Sequence, residues 1–149
     1  MSLIALIRPG DWDLPLFVHV LGAMMLVGAA VAGVSMAFVT SPAGTQEWAR
    51  RLAFRTFLIV ALPAFIVMRF GAEWMRIKEF GEAATNPAWV ILGYSTADGG
   101  GVLLIVGIIL AGIAARRGRP RLAKIAAAIV GLALIGWVIT AWAMAAKPG

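Results

Sequence analysis

Between Lys124 and Lys147 the chain carries no charged residue. At the rise of an α-helix that run covers roughly 33 Å, about the thickness of a bilayer's hydrocarbon core. Further apolar runs precede it at about 14–39, 56–75 and 97–115, so the spans are expected at 14–39, 56–75, 97–115 and 122–146. With 62% hydrophobic and 13% charged residues, a chain of 149 residues lacks the polar surface that a water-soluble domain needs. The expected fold is an all-α integral membrane four-helix bundle forming a single transmembrane domain over 1–149.

The absence of cysteine excludes disulfides, thiolate metal sites and cysteine nucleophiles. Met1–Pro9 is too short for the three regions of a signal peptide, so the first run is expected to be retained as a helix. The net charge of +6 does not indicate nucleic acid, because the charges flank apolar spans. The basic run RRGRPR at 116–121 reads as a loop kept inside the cell.

Four spans place the first and third loops on one side. That side carries Arg50, Arg51, Arg55, Arg116, Arg117, Arg119, Arg121 and Lys124 against Glu47 alone. The other side carries Arg8, Arg69, Arg76, Lys78 and Lys147 against Asp11, Asp13, Glu73, Glu79, Glu82 and Asp98. Lys and Arg are held in cytoplasmic loops, which puts both termini outside a bacterial plasma membrane.

Along the chain, Pro9-Gly10 breaks the N-terminal segment and Trp12 suits the interface. Asp11 or Asp13 is expected to cap the first helix, with Pro15 in its first turn. Ala29, Gly33 and Ala37 recur every fourth residue, as do Gly28 and Ala32, and Ala127 and Gly131 repeat the spacing in the last helix. Small residues so placed let helices approach closely in lipid. Pro42 and Gly44 mark a turn, and Pro63 predicts a kink in the second span. Residues 81–95 read as a link, in which Asn86-Pro87 opens a short interfacial helix with Trp89 lying over the helix ends. Thr96 would then cap the third helix, with Asp98 a helix-start charge in its first turn and Gly99-Gly100-Gly101 just after.

An internal repeat is also legible. Val27-Gly28 and Ala32-Gly33 align with Val106-Gly107 and Ala111-Gly112, and Arg51-Leu52-Ala53 with Arg121-Leu122-Ala123. It implies two tandem helical hairpins, with His19 and Asp98 at corresponding positions.

The polar side chains concentrate toward the outer ends of the spans. His19, the sole histidine, together with Arg69, Glu73, Tyr94, Asp98, Thr140 and Trp142, forms the candidate ligand-binding set. Intramembrane ionisable groups are costly and mark sites. Arg69 and Glu73, one turn apart, are expected to pair. His19 either donates a hydrogen bond to Asp98, Glu73 or a carbonyl, or ligates a cofactor. One histidine excludes two-His haem ligation within the chain, while His/Met ligation stays open. No nucleotide loop, paired-carboxylate motif or nucleophile elbow occurs, so no catalytic residue is assigned.

The segments FVHVLGAMMLVGA, ALPAFIVMRFGAEW and AWAMAAKPG resemble a group of small four-span membrane proteins of actinobacteria. That resemblance covers nearly the whole chain and implies a fold without an activity. More distantly, a histidine near the start of the first helix followed by glycine is similar to the copper-resistance D and membrane protoporphyrinogen oxidase types. These imply haem or copper at His19, although they use further histidines that this chain does not have.

Three functions are consistent with these features. The first is a binding or accessory protein with an outer-leaflet pocket for a small ligand, haem or quinone. The second is a scaffold subunit, forming a homo-oligomer or joining a partner in a membrane complex. The third is a small proton-coupled transporter. The lipid bilayer is the expected surrounding partner, and nucleic acid is not.

Overall fold

Helices account for almost every residue that the computed structural model describes, namely 13–38, 43–81 and 88–146. The readings at Pro9-Gly10, Asp11, Trp12, Pro42, Asn86-Pro87 and Lys147 lie outside the described residues. The elements are α1 (Asp13–Ala37), α2 (Ala43–Arg55), a π-helical turn (Thr56–Ala61), α3 (Leu62–Phe80), α4 (Ala88–Arg117) and α5 (Pro120–Ala146). α2, the π turn and α3 follow without a break. Four stretches are long and apolar enough to cross a membrane: Asp13–Ala37, Gln46–Glu79, Ala88–Arg117 and Pro120–Ala145.

The second span answers Pro63 with a wider turn. A proline ring collides with the carbonyl four residues back, here that of Ile59, and leaves it without a donor. The π turn at Thr56–Ala61 loosens the backbone at that carbonyl, as π-bulges do within helices.

The second and third spans both begin earlier than expected, at Gln46 rather than Thr56 and at Ala88 rather than Ala97. The link over 81–95, with its interfacial helix, is replaced from Ala88 onward by α4 itself, which runs straight through Trp89, Tyr94 and the triple glycine. Thr96 caps nothing, since its hydroxyl donates back to the carbonyls of Leu92 (2.8 Å) and Gly93 (3.1 Å). Asp98 is no helix-start charge, as it lies roughly 15 Å along the axis from Ala88. The physical reason is the solvent. In lipid a helix keeps its backbone bonds through glycine, because no water competes for them. The glycines serve packing instead: Gly93 accommodates Met144, Gly100 the Trp137 ring and Gly101 the Phe65 ring.

The bundle is two antiparallel hairpins, α1 with the second span and α4 with α5. They meet where α1 packs on α5 and α2 on α4, while α3 and α4 scarcely touch. Small side chains make up most of the core. Ala30, Ala61, Ala114, Ala127 and Ala143 are fully buried, and Leu26, Phe57, Leu104 and Val130 fill the gaps between them. Large apolar residues point the other way, with Met24, Ile59, Phe70, Val102 and Leu132 exposed along the bundle. Such an apolar exterior is unstable in water and at home in acyl chains.

The closest approach in the first hairpin is backbone on backbone. A Cβ on Gly22 would stand 2.5 Å from the Met68 nitrogen, and one on Gly71 2.5 Å from the His19 nitrogen. Of the small-residue faces expected in α1, Ala29 and Gly33 are buried, Gly33 against the Phe57 ring. Gly28 is exposed with nothing within 4 Å of where its Cβ would be, and Gly131 is open in the same way. The repeat-related glycines therefore have unequal surroundings, since Gly107 is buried against Val130.

Candidate functional site

The helix crossing at Gly22 and Gly71 decides where His19 goes. It presses the first turns of α1 against α3, so the imidazole reaches the α3 backbone and its Nδ1 lies 2.9 Å from the Met68 carbonyl oxygen. A carbonyl can only accept, so Nδ1 carries the proton. In the imidazole tautomer that this selects, the lone pair is on Nε2. Of the acceptors expected for His19, the structure selects a carbonyl, and neither Asp98 nor Glu73.

One residue further along α3, Arg69 turns toward α4. Its Nε donates to Asp98 Oδ1 at 2.7 Å, and its guanidinium lies 4.5 Å from the centre of the Tyr94 ring. The pairing of Arg69 with Glu73 expected from their spacing is therefore corrected. Glu73 accepts instead from Arg76 on its own helix at 2.5 Å, and from the Tyr94 hydroxyl at 3.0 Å. Tertiary partners win here because α3 and α4 splay apart at this level, and the long side chains of Arg69 and Tyr94 reach across the gap. His19 and Asp98 thus engage neighbouring residues of α3.

On the far side of the gap, α5 is tied to α4 by hydroxyls. Thr140 Oγ1 meets Thr96 Oγ1 across the helix pair and lies 3.0 Å from its own Gly136 carbonyl; with the Thr96 proton turned back into α4, the single Thr140 proton makes the interhelical bond. A single interhelical bond of this kind contributes about 0.6 kcal/mol in a membrane. Trp137, buried one turn below, directs its indole nitrogen to the Ala97 carbonyl at 3.5 Å.

These groups surround a cavity of about 100 Å³ between α1, α3, α4 and α5. His19, Arg69, Tyr94 and Thr140 line it, and Leu26, Met68, Trp137 and Met144 give it an apolar wall. It lies at the depth foreseen, with His19 roughly 9 Å along α1 from Asp13. Glu73 and Asp98 stand behind the lining, holding Arg69 and Tyr94. Trp142 takes no part, being 62% exposed on the outer surface of α5. Trp137, Thr140 and Met144 share one helical face at spacings of three and four, and Trp142 falls off it. That spacing was the available signal for Trp137, which the candidate set omitted.

The chain matches no protein family, curated protein or solved structure. What the site does must therefore be read from its own chemistry. Among the described residues no group of three or more His, Asp or Glu could hold a metal ion. A cavity of about 100 Å³ is of the order of the roughly 150 Å³ apolar cavity that admits benzene. One six-membered ring fits that space, and a tetrapyrrole does not.

Proposed function

We propose that this chain is a membrane-resident binding protein whose outer-leaflet cavity takes a single-ring, hydroxyl-bearing apolar ligand of the quinol class. The observation that carries this reading is His19. Its Nδ1–H is committed to the Met68 carbonyl, so Nε2 is left as a hydrogen-bond acceptor on a chamber whose other polar lining residues, Arg69, Tyr94 and Thr140, are engaged with partners of their own. A quinol hydroxyl donates to such a nitrogen, whereas a quinone carbonyl offers no proton. Haem, the other cofactor considered, is dropped on size. A proton-coupled transporter is disfavoured because the described interior toward the basic end is filled by the apolar Leu26, Phe57, Leu104 and Val130.

The chain is placed in a bacterial plasma membrane with the arginine-rich ends of the spans in the cytoplasm. Both termini and the cavity then lie on the outer side. A scaffold role has one observation in its favour. Gly28 and Gly131 stand open toward the lipid at positions where a further helix of a homo-oligomer or partner could close in.

The test is thermal unfolding of the detergent-purified protein with methylhydroquinone and with methyl-1,4-benzoquinone, the reduced and oxidised forms of one single-ring compound. A ligand at a hundred times its Kd stabilises by about 2.7 kcal/mol. The quinol is expected to raise the unfolding temperature and the quinone to do so far less. His19→Phe, which fills the site with an apolar ring, should abolish the quinol effect. Equal shifts in wild type and His19→Phe, or no shift with either compound, would overturn the reading.

A further inference from the structure

The opposite end of the bundle holds a second feature, independent of the cavity. α4 closes on Gly118, whose φ of 63° is the left-handed conformation that ends helices. The Arg119 amide then donates to the Ala114 carbonyl at 3.1 Å, completing a Schellman turn. The Arg119 carbonyl in its turn accepts from Ala123 at 3.3 Å, in the first turn of α5. Arg119 therefore belongs to the end of one helix and the start of the next. The corner is rigid, and Pro120 separates Arg119 from Arg121 with a fixed φ.

A cleft of about 440 Å³ opens at this corner, lined by Arg119 and Arg121 at its rim and by Leu122 and Ile125 along the wall. Ile125 is 51% exposed. The cleft is thus two-natured: two arginines and, beside them in the first turns of α5, the apolar Leu122 and Ile125. Nothing nearby neutralises the cations. Glu47 is the single acid on this face, and it is bound to Arg51 at 2.5 Å. On α2 the buried Arg50 Nε has no hydrogen-bond partner among the described residues.

We propose that the α4–α5 corner is a binding site for one anionic phospholipid. Arg119 and Arg121 hold its phosphodiester, and an acyl chain lies along Leu122 and Ile125. A guanidinium matches a phosphate with paired donors. The apolar wall selects a lipid over a free anion, and the clustered charge selects an anionic headgroup over a zwitterionic one.

Native mass spectrometry of the protein released from mixed phosphatidylglycerol and phosphatidylcholine micelles tests this. One phosphatidylglycerol is expected to be retained. The double variant Arg119→Gln/Arg121→Gln should weaken retention roughly thirty-fold, at about 1 kcal/mol for each cation lost. The pair Arg116→Gln/Arg117→Gln removes the same charge from the last turn of α4 and should change retention less than three-fold. Ile125→Thr, which leaves the charge intact, should also reduce retention. Equal losses in the two arginine pairs would reduce the site to general electrostatics and overturn it. Displacement of the lipid by excess inorganic phosphate would overturn it in favour of a free-anion site. Unfolding temperatures of all variants, measured alongside, separate lost binding from lost fold.

Discussion

Two glycines do more for this bundle than any large side chain. Gly22 and Gly71 let α1 and α3 touch backbone to backbone, and that contact brings His19 to the Met68 carbonyl. A methyl at either position meets backbone atoms at 2.5 Å, which cannot swing aside as a side chain can. Gly71→Ala is expected to destabilise the protein by about 1–3 kcal/mol, the usual cost of overpacking. It should also loosen the His19 bond, while Gly28→Ala, in open space, should stay within about 0.5 kcal/mol. Denaturant unfolding in detergent, read by circular dichroism, checks both. The spacing of small residues pointed to Ala29, Gly33 and Gly28 alike, and could not separate the buried positions from the open one. Helical periodicity identifies a face without saying what is opposite it.

At the scale of the elements, the joint between α3 and α4 stands apart. These two helices scarcely touch, and they are bridged at this level by Arg69 with Asp98 and Tyr94, and by Tyr94 with Glu73. An ion pair of this kind, with Asp98 55% exposed, contributes little stability. Its effect is on access, because Arg69 and Tyr94 are also the wall of the cavity on that side. Arg69→Gln removes both the ion pair and the ring contact. In an Ala97→Cys background, that variant is expected to raise the labelling rate by a small lipid-soluble maleimide several-fold with little change in unfolding temperature. An unchanged rate would mean that the polar bridge does not guard the cavity. The i,i+4 rule anticipated a pairing of Arg69 with Glu73 because it knows only one helix. The gap between two helices chose Asp98.

For the whole molecule, the asymmetry of charge is the strongest prediction. Glu79 and Arg117 are both exposed and stand at opposite ends of the bundle. The native chain has no cysteine, so single-cysteine variants report without background. Glu79→Cys is expected to react with a membrane-impermeant maleimide added to intact cells, and Arg117→Cys only after the cells are opened. The reverse pattern would turn the protein over and place the cavity on the cytoplasmic side.

Chain order alone was enough for the number of spans and for the end of the bundle at which the polar side chains gather. These depend on the transfer of each segment from water to lipid, a property that adds up residue by residue. It was not enough for the start of the third span. Gly93 and Gly99-Gly100-Gly101 look like breaks until Met144, Trp137 and Phe65 are seen packed against them. Nor was it enough for the cavity. His19, Arg69, Tyr94 and Thr140 were all named from the chain, yet that they line one chamber with Trp137, that Glu73 and Asp98 stand behind it and that Trp142 lies outside follow from how the two hairpins meet. Glycine contacts and the splay of α3 from α4 set that meeting, and both join residues far apart in the chain that no local pattern links.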